Sequence, residues 1–538
     1  MKPPELSDRT TRVLLTLVVA LGLLLRFWGL RFGFPHPYAR PDEEVVVDLA
    51  LGALRDLNPH FFDWPSLFSY TTAAIYAVIF SVERAIGGVM AGPAIAKAAF
   101  EPALHMVPRL LSAIAGAATV VALYGAAREL FSRRVALLSA AFLAVAFLHV
   151  RDSHFGVTDV PATFLTIVAF WAGLRCFTKG ATVSRAVVAG ACCGLAATTK
   201  YNCVLILLPA ALAIVIPPGG RRPRSAAAVL LPLIALVLSA GAAFVAGTPY
   251  ALLDYSNFMA AVNAVRRHLA GGHVVMARGW PYHAQFTLRY GVGIPLLVSA
   301  AAGACWLVAR DRRRAAFVLS FPLLYYLILG AGLTVFTRYM IPMVPFLCLL
   351  AAAAVAWLSE RVSGTWNGPL RQAVTVGLAA VVMVPTAIAS VKFDRLMTTT
   401  DTRVLAANWI ESTFPSRLSM YQNGVGYAQT QPKPRDWYVQ YSYNERTNRF
   451  EWDNHERDAP DLIVLVESPL TVYTGTPAAV GVLVANRYTL LRTFEGIGVQ
   501  PPAGTLYDRD DAFFAPYSGI ENARRPGPTI RVYQRIRS

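Results

Sequence analysis

The stretch LLSAIAGAATVVALYGAA, residues 110–127, contains no Asp, Glu, Lys, Arg or His. A helix that crosses the hydrocarbon core of a bilayer needs roughly 17–25 such residues. Residues 135–150, 226–246 and 346–358 are also strongly apolar, each long enough to span or nearly span hydrocarbon. The 538-residue chain is 55% hydrophobic and only 15% charged, whereas soluble domains carry about a quarter charged residues. Its length alone would permit about three globular domains, but the apolar runs decide otherwise. An all-α polytopic membrane protein is the fold class they imply. Residues 12–30 read as a retained first span, because they run into Arg26 and Arg31 without a small-residue cleavage site.

A formal net charge of +17 would suggest nucleic acid in a soluble protein. Here the excess sits in short loops between apolar runs, as positive cytoplasmic loops do. The clusters are Arg9/Arg12, Arg128/Arg133/Arg134, Lys179/Arg185, Arg221/Arg222/Arg224, Arg310/Arg312/Arg313/Arg314 and Arg361/Arg371. Spans near 12–30, 107–128, 134–150, 160–178, 185–200, 202–217, 225–247, 290–309, 315–334, 340–358 and 371–390 put every cluster on one side. That makes about eleven transmembrane helices. Counting residues 67–82 as a further span would send every later cluster outward. They are therefore expected as a juxtamembrane helix in a first outer loop, 31–106. The competing reading makes them a normal span, with parity restored elsewhere. The six cysteines lie in or beside apolar runs without ligand spacing, and read as small apolar residues.

From about residue 391 the character changes. Residues 1–390 form the membrane domain in this reading, and residues 391–538 a small periplasmic α/β domain of roughly 140 residues. Residues 401–414 read as a capped amphipathic helix. Residues 461–467, 488–494 and 529–535 read as strands, and 514–527 as a loop rich in Pro and Gly.

Parity collects the remaining ionisable groups on the outer face. The segment Arg40-Pro41-Asp42-Glu43-Glu44 follows the first span. Carboxylates near lipid cost free energy unless something uses them. They can serve as a general base or hold a divalent cation against a phosphate. Equally, Pro41 and the acids suit a helix start. His60 and Asp63 sit among Phe61, Phe62 and Trp64 between two prolines. That suits a lipid-linked sugar, or an interfacial aromatic belt. Arg109 opens the second span, and His149–Asp159 carries a dense polar run including Arg151, Asp152 and His154. Lys200-Tyr201 and Arg338-Tyr339 lie at the outer ends of later spans. Cations at that depth pair with acids or bind phosphate, though each taken singly could snorkel to headgroups. An outer loop, 248–289, adds Arg266, Arg267, His268, His273, Arg278, Tyr282 and His283. It could be a mobile lid. No histidine pair there has a recognisable ligand motif, so a divalent metal ion is left open as a cofactor.

These features together resemble a family: an Asp-Glu pair after the first span, Pro-Ser-Leu-Phe-Ser-Tyr, an Arg opening the next span, and His-…-Thr-Asp-Val-Pro. Thr-Lys-Tyr-Asn, Arg-Tyr-Met-Ile-Pro and a late Arg-Pro-Gly-Pro complete the set. They look like the bacterial branch of the C-type (GT-C) glycosyltransferases. More narrowly, they are similar to glycosyltransferase family 39, the protein O-mannosyltransferases and the lipid A aminoarabinose transferase. The resemblance covers roughly 12–390 well and the tail more loosely. It implies a polyprenyl-phosphate sugar donor, a protein, lipid or glycan acceptor, and transfer at the periplasmic face of the inner membrane. It carries the Asp-Glu pair over to Asp42 and Glu43, with Asp42 as base or acceptor-positioning acid. The second outer-loop acid carries over to Asp159, the span-opening arginine to Arg109 and the late phosphate-binding arginine to Arg338. Lys200 matches a lipid-phosphate partner more loosely. Where the aminoarabinose transferase has a Glu-Lys-Pro-like segment, this chain has Asp63-Trp64-Pro65, which argues against the same substrate. Some relatives bind a metal and others do not. A transporter or flippase for a lipid-linked or anionic substrate is the alternative. Transporters place ionisable groups at mid-bilayer and carry inverted repeats, neither of which is visible here.

Overall fold

The computed structural model describes residues 7–90, 92–216, 225–272, 274, 278–363, 368–432 and 438–536. The basic cluster Arg221/Arg222/Arg224 and His273 lie outside the described residues. The chain divides into two compact units. The first comprises Met1–Trp28 and Val45–Val391, the second Gly29–Glu44 and Lys392–Ser538.

In chain order the first helices are α1 (Asp8–Phe27), α2 (Glu43–Ala53), α3 (Leu67–Ala85), α4 (Pro93–Leu130) and α5 (Arg133–Val145). Then come α6 (Phe147–Asp152), α7 (Asp159–Lys179), α8 (Val183–Ala197), α9 (Leu207–Val215) and α10 (Ala227–Gly247). Longer helices follow at Tyr255–Gly271, Ile294–Arg310, Arg312–Gly330, Val344–Ser363 and Gly368–Met397. Ser132 and Thr182 cap α5 and α8 by accepting from the N–H of Val135 and Arg185, which satisfies a donor the helix start leaves open.

Among the described residues seven helices are long and apolar enough to cross a membrane. An eighth arises if Gly279–Val292 and Ile294–Arg310, bent by 110°, form one broken span. This measure does not confirm the expected number of about eleven. Several expected spans are short or interrupted: α5, α8 and α9 have 13, 15 and 9 residues. A 3-10 turn, Tyr201–Ile206, precedes α9. The 19-residue α3 is not among the seven.

The break after α5 shows how a helix can stop inside an apolar unit. The freed Leu143 and Ala144 carbonyls accept from Arg26 at 3.1 and 3.0 Å. Thr386 and Ser390 donate to the Val145 carbonyl, and Phe147 N–H donates to the Thr386 hydroxyl at 2.7 Å. Backbone groups released in a low-dielectric interior need such partners. The helices themselves close on small residues. An added Cβ at Gly190 or Gly194 of α8 would lie 2.2 or 2.3 Å from the Leu236 or Ala240 carbonyl oxygen of α10. This G-x-x-x-G spacing permits backbone approach where side-chain hydrophobicity gives no drive.

The second unit is built on a seven-stranded sheet. Its strands are β1 (Leu418–Gln422), β2 (Tyr438–Asn444), β3 (Arg449–Trp452), β4 (His455–Arg457), β5 (Leu462–Glu467), β6 (Tyr488–Phe494) and β7 (Thr529–Arg535). Their order is β4-β3-β2-β1-β5-β7-β6, with β1 parallel to β2 and β5 and the remaining pairs antiparallel. Alternate side chains of β5 point to opposite faces. Leu462 and Val464 pack with Ala406 and Ile410 of the helix Thr402–Thr413, while Ile463 and Leu465 pack with Val480 and Val484 of the helix Ala478–Arg487. The strands expected at 461–467, 488–494 and 529–535 are β5, β6 and β7. The expected helix at 401–414 is Thr402–Thr413, capped by Asp401, which accepts from Arg403 N–H at 2.8 Å.

Candidate functional site

In the first unit a set of charged and aromatic side chains gathers where helices begin and end. Asp159 is the first residue of α7, where the helix dipole favours a carboxylate. Lys200 follows the end of α8 and forms an ion pair with Asp159, with side chains 16% and 5% exposed. The Lys200 ammonium also lies 5.2 Å from the ring centroid of Tyr339. Tyr339 and Arg338 belong to the 3-10 turn Thr337–Met343, which packs on α6 and α7. The Arg338 guanidinium sits 4.3 Å from the Phe336 ring centroid. Tyr201 donates to the Phe62 carbonyl at 3.0 Å, and both rings pack against Phe258. Leu67 N–H donates to the Thr198 carbonyl and Ser66 N–H to the Thr248 hydroxyl. These bonds fix the Phe62-Asp63 segment beside Lys200-Tyr201.

The turn before α7 is built from buried polar groups. Arg26, Arg109 and Arg151 are fully or almost fully buried. Arg26 reaches His149 Nδ1 at 3.0 Å, and Arg151 pairs with Asp152 at 2.9 Å. His154 lies inside the turn, its ring nitrogens 3.0 Å from the Val150 carbonyl and 2.9 Å from the Trp28 carbonyl. Gly156 lets the turn approach α4, since a Cβ there would stand 3.1 Å from Arg109 N. Asp159, Lys200, Tyr201 and Tyr339 thus come together, with Arg338 and Asp63 on the same short segments and Arg109 beside the turn. His60 stands apart: it is exposed, pairs with Asp56 at 2.9 Å, and has φ +48°. His154 is held by backbone rather than turned to an open surface. Among the described residues no three His, Cys, Asp or Glu side chains gather as metal ligands. In the 248–289 loop, His283 is buried and 3.0 Å from the Thr287 hydroxyl.

In the second unit the segment Gly29–Glu44 packs with the tail. Arg40 is fully buried and makes a two-pronged contact with Asp511, at 2.9 and 2.8 Å. It also lies 5.6 Å from the Phe513 centroid. His36 Nδ1 accepts from Tyr38 N–H at 3.1 Å, so Nε2 carries the proton given to the Gln429 carbonyl at 2.8 Å. Arg403 donates to the carbonyls of Tyr38 and Ala39. Asp42 adopts the left-handed region, φ +74°, directly before α2. Glu43 is buried. Glu44 accepts from the Tyr427 hydroxyl at 2.5 Å. Burial pushes its carboxyl up to about 7, in spite of that hydrogen bond. The sequence reading missed these tail partners. Their signal was the run Asp508-Arg509-Asp510-Asp511 ahead of Phe513-Phe514, three acids that turn out buried.

Residues 103–244 match the model of the dolichyl-phosphate-mannose-protein mannosyltransferase family. ArnT from Cupriavidus metallidurans in the apo state has a similar structure, with TM-score 0.54, 13% identity and 98% of each chain covered. The same protein bound to undecaprenyl phosphate gives 0.52 and 14%, over 81% of this chain and 86% of that one. The archaeal oligosaccharyltransferase AglB from Archaeoglobus fulgidus, in complex with an inhibitory peptide and a dolichol-phosphate, gives 0.50 and 16%, over 81% of this chain. The chain spans only 61% of that oligosaccharyltransferase's length. Comparison with curated proteins by sequence gives no match. The fold is that of the multi-pass GT-C membrane glycosyltransferases. Within that fold, residues 103–244 are similar to the dolichyl-phosphate-mannose-protein mannosyltransferase family, and the chain as a whole is similar in structure to ArnT.

Proposed function

We propose that this chain moves a sugar from a polyprenyl-phosphate donor to an acceptor hydroxyl on the periplasmic side of a bacterial inner membrane. The observation that carries the reading is the gathering of Asp159, Lys200 and Tyr339 beside Arg338 at helix ends. The fold adds support, because ArnT from C. metallidurans is seen bound to undecaprenyl phosphate.

In the reaction the acceptor oxygen bonds to the anomeric carbon, and the bond from that carbon to the phosphate oxygen breaks. The electron pair leaves with the phosphate, and the acceptor proton passes to a carboxylate. Asp42 is the proposed base or acceptor-positioning acid, with Glu43 beside it in sequence and Asp159 as the second acid. Lys200, Arg338 and Arg109 are proposed to face the charge growing on the phosphate. Each well-placed donor is worth roughly 2–4 kcal/mol. Tyr201, Tyr339, Asp63 and His60 are proposed substrate contacts, and His154 supports the turn that carries Asp159.

The test is a panel of polyprenyl-phosphate-linked hexoses and pentoses offered to the full chain in nanodiscs, read by product mass. Asp42→Asn should abolish transfer in a folded protein, and turnover at the unmodified rate would remove Asp42 from the chemistry. Arg338→Ala should weaken donor binding about tenfold or more while acceptor binding holds. Unchanged donor affinity would take it out of the phosphate site.

A further inference from the structure

The segment that carries Asp42 and Glu43 belongs to the second unit, not to the helical one. Its anchors come from both sides of Asp42. Upstream, His36 is tied to Gln429, the Tyr38 and Ala39 carbonyls to Arg403, and Arg40 to Asp511. Downstream, Glu44 is tied to Tyr427, whose ring also packs edge-on against Tyr38. These four partners, Gln429, Arg403, Asp511 and Tyr427, all lie in the tail. Arg403 is in turn gripped by Asp401 through Nε and Nη2, at 2.9 and 2.7 Å.

Asp42 itself has φ +74°. A left-handed non-glycine residue is strained and persists where its surroundings over-determine it. The Arg40–Asp511 ion pair joins one hydrogen bond, at 2.9 Å, to a second nitrogen–oxygen approach at 2.8 Å, and it is buried, so water does not compete for it. A loop that only needed to be covered would not require a buried ion pair one residue before Pro41 and a carboxyl–phenol bond two residues after Asp42.

We infer that the C-terminal unit is the positioning element of the acidic segment: Asp511 through Arg40, and Tyr427 through Glu44, hold Asp42 and Glu43 in their working conformation. Asp511 and Tyr427 are positioning residues, acting through others. The inference rests on the reading of Asp42 as base or acceptor-positioning acid.

The experiment uses the full chain in nanodiscs and three variants: Asp511→Asn, Asp511→Glu and Tyr427→Phe. Hydrogen–deuterium exchange of peptides covering residues 36–44 is measured beside turnover of the panel donor that the unmodified chain uses fastest. Asp511→Asn should raise exchange in 36–44 at least tenfold while peptides from 103–244 keep theirs. It should also lower kcat about thirtyfold or more, with donor KM within threefold. Asp511→Glu should recover part of both losses. Tyr427→Phe removes a single hydroxyl, so it should fold even if Asp511→Asn does not. It should raise exchange in 36–44 about threefold or more and lower kcat in the same sense. Unchanged exchange of 36–44 in the variants that fold overturns the inference, whatever Asp42 does. Raised exchange with unaltered kcat also overturns it. Failure of the underlying reading shows elsewhere, as transfer that survives Asp42→Asn.

Discussion

At the scale of single residues, burial decides which ionisable groups matter. Glu44 is the clearest case, because its carboxyl is pushed up to about 7 by desolvation. A raised acid binds its proton more tightly folded than unfolded. Stability is then highest below the ordinary carboxylate range and falls as pH rises from about 4.5 to about 7. The loss is on the order of 3 kcal/mol at most. Glu44→Gln should remove it: unfolding temperatures of variant and unmodified chain should diverge between pH 5 and pH 8, with the variant higher at pH 8. A constant difference across that range would contradict the assignment. The left-handed backbone at Asp42 bears on how that residue is probed. Asn tolerates this region as Asp does, so Asp42→Asn removes charge without adding strain, whereas Ala would mix the two. At this scale the sequence was partly legible. Asp159, Lys200, Tyr201 and Tyr339 gather as their positions at span ends implied. His60 does not join them, because its loop turns it out to Asp56. The pairing of Asp511 with Arg40 and of Tyr427 with Glu44 was not legible, because a contact across 471 or 383 positions of sequence leaves no periodic trace, even where the acidic run around Asp511 stands out.

At the scale of elements, two prolines lie inside α4, Pro102 and Pro108. Pro108 has no N–H to give the Leu104 carbonyl, and the Tyr76 hydroxyl of α3 takes its place at 2.7 Å. This bond pins α3 to α4 five residues before Arg109. Tyr76→Phe should leave a buried carbonyl unsatisfied and cost about 1–3 kcal/mol. Thermal unfolding in nanodiscs should fall by several degrees, and an unmoved midpoint would show that water replaces the hydroxyl. Helices and late strands could be read because their patterns are local: capped apolar runs, and the alternating β5, β6 and β7. β1 to β4 escaped notice, since β2 is half-exposed along its length and β4 wholly exposed. Strands of that kind are specified by their neighbours rather than by their own alternation. The break at Ala146 was likewise hidden in a run that reads as one continuous span. It is the side chains of Arg26, Thr386 and Ser390 that stabilise it.

For the whole molecule, the membrane class and the helical architecture with a small α/β unit were legible from composition and apolar runs. The number of spans was not, because half-length and bent helices blur what counts as one crossing. Orientation can be checked directly. In a chain with Cys305→Ser, Lys97→Cys should label with an impermeant thiol reagent added outside, and Ser132→Cys should not. The reverse pattern would overturn the assignment of 67–82 to the outer face. Both positions are exposed. The long helix α4 carries a further consequence for the membrane the protein inhabits. Arg109 and Arg128 bracket its apolar stretch, and at 1.5 Å per residue they stand about 29 Å apart. That is close to the roughly 30 Å of a typical hydrocarbon layer, so α4 works as a gauge of bilayer thickness. Lipids with markedly shorter or longer chains would make it tilt or force the bilayer to deform. Thermal stability should therefore peak in vesicles of intermediate acyl length, and a flat profile would show that α4 does not set the fit.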